Sequence, residues 1–167
     1  MVKPAALVGQ AVLYAAFAAV IGYFSTAPEY RHLPPDQALI KISFSHHGER
    51  VSECRRRTPE ELARLAPNMR TPLDCPRERS PVTVQLELDG KLVYAGSAPP
   101  AGLSKDGVST LYRRFPVPAG EHLLAVKMND NVRIKEFNFQ REEKVVLKPA
   151  QILVIDFNAE KGGIVLQ

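Results

Sequence analysis

The sequence predicts a mainly β protein: an antiparallel β-sandwich of seven or eight strands behind one N-terminal transmembrane α-helix, with a short helix in a disulfide-bounded insertion. Three observations carry this. A long uncharged run lies near the amino terminus, short stretches of alternating polarity recur behind it, and turn-forming residues separate those stretches about every ten residues. The 14 prolines and the absence of tryptophan suit a turn-rich β chain better than a helical bundle. The net charge of +4 comes largely from one arginine-rich region. Without interleaved basic and aromatic residues or a recognisable nucleic-acid module, it does not point to nucleic acid.

Residues 5–24, AALVGQAVLYAAFAAVIGYF, contain no charge and only one strongly polar side chain, Gln10. About twenty apolar residues cross a bilayer core, and this run exceeds the usual hydrophobic region of a signal peptide. Cleavage after Ala27 would leave Pro28 as the first mature residue, a poor choice, so an uncleaved anchor is expected. Lys3 precedes the run, and Tyr23 and Tyr30 mark its far boundary. Residues 1–4 are then cytoplasmic, residues 5–24 span the membrane, and the linker and domain behind them lie outside. Ala11, Ala15 and Ala19 repeat every fourth residue, and Ala18 with Gly22 adds a second pair. Small residues at this spacing let helices approach closely. The run is therefore either a plain alanine-rich anchor or a helix that docks against integral membrane subunits.

Residues 25–37, STAPEYRHLPPDQ, have three prolines and no periodicity, and read as an extended linker. The folded domain, residues 38–167, begins with a strand over 38–45, where Ile40, Ile42 and Phe44 alternate with Lys41, Ser43 and Ser45. Val82, Val84, Leu86 and Leu88 alternate in the same way, Asp89-Gly90 makes a tight turn, and residues 91–94 return. A second hairpin joins strands over 109–117 and 122–128 through Pro118-Ala119-Gly120-Glu121. Further strands are expected over 132–139, 144–147 and 152–157, the last an apolar run typical of a sheet interior. Strand number and turn spacing together argue for a sandwich.

The phrases Leu86-Glu87-Leu88-Asp89-Gly90-Lys91 and Val117-Pro118-Ala119-Gly120-Glu121-His122-Leu123-Leu124-Ala125-Val126 resemble the PEGA and carboxypeptidase-regulatory-like families of Ig-like sandwich. The resemblance implies an extracytoplasmic binding or spacer module with no activity of its own. The insertion over residues 46–81 departs from those small domains.

Both cysteines, Cys54 and Cys75, lie in the insertion and bracket a short helix. Thr58 is its N-cap, Pro59 suits its first turn, and Glu61 completes a T-x-x-E capping box. A disulfide here closes a loop of about twenty residues, contributes roughly 3 kcal/mol in the chain-entropy model, and persists in an oxidising compartment. That places the domain in the bacterial periplasm. Arg55, Arg56, Arg57, Arg64 and Arg70, with Arg50, Arg77 and Arg79, outnumber the nearby acids. They form either a solvated, salt-bridged face or a contact surface for a neighbouring subunit or lipid headgroups.

No catalytic residues, cofactor or small-molecule substrate are expected, because no nucleophile elbow, zinc-protease helix, phosphate-cradling loop or haem-attachment sequence is present. A copper site using His46 and His47, with Cys54, Met69 or Met128, is the weaker alternative. Adjacent strand residues point to opposite faces, and Cys54 has a simpler partner in Cys75. His122 reads as a turn residue, and Asp106 and Asp130 are explained by turns. Asp156 reads as either a paired buried group or an outward-facing one. The functional expectation is a non-catalytic accessory subunit or assembly factor of a bacterial inner-membrane complex, with respiratory or photosynthetic electron-transport complexes as first candidate hosts. The alternative is an anchored periplasmic module that binds copper or a cell-wall glycan.

Overall fold

The structure is a computed structural model and describes residues 3–27 and 33–167. The expectations for residues 1–2, Pro28 and Tyr30 lie outside the described residues. The chain divides into two compact units, one ending at Pro34 and the other beginning at Pro35.

In the first unit, Pro4–Thr26 forms the helix α1 of 23 residues. Pro4 stands in its first turn, where a missing N–H costs nothing. At 1.5 Å per residue the helix is about 35 Å long, enough for a bilayer core of about 30 Å. The expected span of 5–24 is thus extended at both ends. Ser25 and Thr26 belong to the helix and not to the linker: their hydroxyls donate to Ile21 O at 2.8 Å and Gly22 O at 3.2 Å. Side-chain hydroxyls bonded back to the helix in this way need no outside acceptor.

The second unit is mainly β, as predicted. Its strands are β1 (Gln37–His46), β2 (Arg55–Arg56), β3 (Leu73–Asp74), β4 (Val82–Leu88), β5 (Lys91–Ala98), β6 (Ser109–Pro118), β7 (Gly120–Asn129), β8 (Phe139–Leu147), β9 (Ile152–Asn158) and β10 (Gly163–Leu166). Eight of them build two four-stranded sheets, ordered β10-β9-β1-β6 and β5-β4-β7-β8. The core lies between the sheets. Ile40, Ile42 and Phe44 of β1 and Leu153, Ile155 and Phe157 of β9 face Val82, Val84 and Leu86 of β4 and Leu124, Val126 and Met128 of β7. Burial in β4 alternates residue by residue, as a strand with one face in the core requires.

One pairing is parallel. β1 runs antiparallel to β6 from Gln37↔Pro118 to His46↔Ser109, but parallel to β9 from Leu39↔Ile152 to Ile42↔Ile155. A parallel neighbour needs a long crossover, and here the whole second sheet supplies it.

The Asp89-Gly90 turn is as expected, with φ of 52° and 74° at its two central residues, the left-handed pair a two-residue hairpin demands. The region after β7 differs from expectation. No strand covers 132–139. Residues 130–138 form a loop, and one strand, β8, takes up Phe139 together with the expected segment 144–147. Side chains compete with the ladder here: Asn129 Oδ1 accepts from Asn131 N at 2.7 Å, Asn131 Oδ1 from Arg133 N at 3.0 Å, and Asn129 Nδ2 donates to Ile134 O at 2.9 Å. β10 was not expected. Asp156 lies on β9, between β10 and β1, where it is half-buried and accepts from the neighbouring Phe157 N at 2.7 Å.

Candidate functional site: a stapled arginine hairpin and two histidine latches

The insertion is an irregular hairpin. Its stem is laced by Ser80 N to Glu49 O at 2.7 Å, Val51 N to Glu78 O at 3.2 Å and Arg57 N to Pro72 O at 3.0 Å. Cys54 and Cys75 form the expected disulfide across this stem, with Cα atoms 4.2 Å apart, and β2 pairs with β3 directly beyond it. The tip holds α2 (Pro59–Arg64) and a single 3-10 turn, Pro67–Met69. The capping box is formed: Thr58 Oγ1 accepts from Glu61 N at 3.3 Å, and Glu61 Oε2 accepts from Thr58 N at 2.8 Å. The Thr58 N–H bond, then the one from Arg55, holds the Glu61 carboxyl below its usual range.

The arginines divide into two kinds. Arg55 reaches Glu61 at 2.9 Å and Asp74 at 3.1 Å, and Arg57 reaches Asp74 at 3.0 Å and Thr71 Oγ1 at 2.9 Å. These two brace the hairpin from within. Arg70 donates Nε to Leu65 O at 3.0 Å. Arg56 and Arg64 are exposed and, among the described residues, have no acceptor. Of the five expected contact residues, therefore, Arg56 and Arg64 present whole guanidinium groups outward, Arg70 presents part of one, and Arg55 and Arg57 are engaged internally.

His46 and His47 are not brought together. The His46 ring packs on Phe157 with centroids 4.2 Å apart, and its Nε2 lies 2.7 Å from Asp130 Oδ2. An ionised carboxylate only accepts, so Nε2 carries the hydrogen in this bond. His47 is exposed. Asp130 is 4% exposed and also accepts from Asn138 Nδ2 at 2.5 Å. Burial pushes its carboxyl upward, but the bonds from His46 and Asn138 outweigh burial and hold it below the usual range. This latch pins the 130–138 loop to the end of β1, and Arg133 to Glu53 at 3.0 Å joins the same loop to the insertion.

A second latch sits at the start of β7. His122 Nδ1 lies 2.7 Å from Asp89 Oδ2 and Nε2 lies 3.0 Å from Pro118 O, while Asp89 Oδ1 caps Leu123 N at 2.9 Å. Both partners of the ring are acceptors, so a ring nitrogen bonds either of them as an N–H donor. The His122 bond, then that from Leu123 N, lowers the Asp89 carboxyl below its usual range. The two hairpin turns of the sandwich are tied together here.

No known family model, curated protein or solved structure matches this chain.

What the chain presents for recognition is thus read from its own residues. Asp130 and Asp89 were missed as partners of His46 and His122, and Asn138 as a partner of Asp130, since each lies 8 to 84 residues from the group it holds. The only local signal was the Asn-Asp-Asn and Asp-Gly turns that contain two of them. On α1 no residue is buried, and Ala11, Ala15, Ala18, Ala19 and Gly22 stand uncovered, with Gln10 Nε2 donating to Tyr14 Oη at 2.9 Å.

Proposed function

We propose that this chain is a non-catalytic accessory subunit or assembly factor of a bacterial inner-membrane complex, anchored by α1 and presenting its sandwich in the periplasm. The observation that carries the reading is α1, whose 23 residues are apolar on every side with none buried. In water that surface would stand exposed, whereas lipid and neighbouring helices cover it. Gln10 spends one donor on Tyr14 and keeps a second donor and a carbonyl for a neighbouring helix, beside a face of small residues that permits close approach.

The domain supports the same reading by what its polar groups do. His46, His122 and their carboxylates hold turns and loops in place. The disulfide suits an oxidising compartment, and Arg56 and Arg64 remain for a partner. The copper alternative draws less support, because Asp130 occupies His46 Nε2. Respiratory and photosynthetic complexes are the hosts to test first.

Cell fractionation followed by N-terminal sequencing tests the anchor. The full chain is expected in the membrane fraction and resistant to carbonate extraction. A mature form beginning at Pro28 and free in solution would overturn the reading.

A further inference from the structure

Beside the disulfide, Arg50, Arg77 and Arg79 line an open hollow of about 220 Å³ together with Cys75, Pro76 and Asp106. All three belong to the arginine-rich region singled out in the sequence, and none is engaged in the Arg55–Asp74 network. Their positions are set by the fold. Arg50 and Arg79 face each other as a bridged pair across the hairpin stem, and the disulfide fixes the chain just before Arg77. Arg79 donates to Gly48 O at 3.3 Å, and Arg77 pairs with Asp106 at 2.8 Å. Arg50 donates to Cys54 Sγ at 3.1 Å, and sulfur is a weak acceptor.

Each guanidinium carries five N–H donors, so three around one hollow far exceed the acceptors they meet. Asp106 is the sole carboxylate in the lining. Such an excess of planar, charged donors matches an oxyanion. A carboxylate presents its acceptors in one plane and is satisfied by a single arginine fork. A tetrahedral phosphate presents acceptors on several sides, which guanidinium groups from the two arms of the hairpin stem can meet together. We propose that this hollow is a binding site for a phosphate group, borne either by a free phosphate compound or by a lipid headgroup. The proposal does not depend on the subunit reading.

The test uses the full chain in neutral detergent, titrated with inorganic phosphate and followed by phosphorus-31 NMR and calorimetry. Saturable binding at millimolar phosphate is expected. Arg50→Gln and Arg77→Gln should each weaken it roughly tenfold, as losing a charge-assisted hydrogen bond does. Arg113→Gln, at an exposed arginine of β6 outside the hollow, should leave binding unchanged. Unaltered thermal melting of the Arg50 and Arg77 variants separates loss of the site from loss of the fold, and Arg77→Lys, which keeps the charge, should restore part of the affinity. Repeating the titration in nanodiscs distinguishes the sources. Competition by phosphatidylglycerol assigns the site to a headgroup, and phosphate binding untouched by that lipid assigns it to a free compound. No saturable binding, or an equal loss in Arg113→Gln, would overturn the proposal. So would binding of a polyglutamate peptide without any of phosphate, which would indicate an acidic protein partner instead.

Discussion

His46 and Asp130 lie 84 residues apart in sequence and 2.7 Å apart in space, and their bond joins the end of the first strand to the loop that follows β7. Asp130 is almost wholly buried, so His46 and Asn138 are what make its charge tolerable. Asp130→Ala leaves both donors without their acceptor. The expected loss is about 1–3 kcal/mol in denaturant unfolding, with raised hydrogen exchange confined first to residues 130–138. An unchanged unfolding midpoint would show that the latch contributes nothing.

Acid stability follows from the same carboxylates. Asp130 and Asp89 are both held below their ordinary values in the folded protein. A depressed carboxylate contributes stability that is complete above its unfolded pKa and is lost as pH falls through the folded value. The loss is therefore expected below about pH 4. Unfolding midpoints measured from pH 7 down to pH 2 should drop in that window, and Asp89→Asn should flatten the drop. A fall beginning near pH 6 would point to other groups.

Gly48 is required by contact and not by dihedral angle. A Cβ there would lie 2.1 Å from Ser80 O and 3.2 Å from Asp130 O, so Gly48→Ala pushes the hairpin stem off the sandwich. A cost of about 1–3 kcal/mol is expected from overpacking. Gly90→Ala meets nothing within 4 Å but must hold φ at 74°, and should cost about 1 kcal/mol. Thermal melts of the two variants check the order, and a milder effect at Gly48 would contradict it.

Much of this was legible because it is local. Alternation placed β1 and β4, Asp89-Gly90 placed a turn, and Thr58 with Glu61 placed a capped helix, since each depends on residues a few positions apart. Residues 132–139 failed for a physical reason. Val132 and Ile134 read as strand residues, but they stand 51% and 42% exposed while asparagine side chains take the backbone groups a strand would have used. The parallel pairing of β1 with β9 and the two latches join distant segments, and no local pattern encodes them. Among the arginines, sequence showed the cluster but not the division between Arg55 and Arg57, turned inward on Asp74, and Arg56 and Arg64, turned outward.

The disulfide closes the stem of the insertion and lies outside the core. Cys54→Ser with Cys75→Ser should expose residues 55–74 to proteolysis while amide protection in β4 and β7 persists. Global unfolding at ambient temperature would show that the sandwich itself depends on the staple.

On α1, Ala15→Leu should obstruct close helix approach and reduce recovery of partner proteins from mild detergent, while the chain itself stays in the membrane. Undiminished recovery would mean that this face is idle.

A chain held within a larger membrane assembly carries its partners with it into mild detergent. Size exclusion with light scattering on protein purified from its native membrane should find it in a particle several times its own 18.5 kDa, together with other integral membrane chains. A detergent-corrected mass equal to one copy of the chain would mean that it stands alone in the membrane and is no subunit.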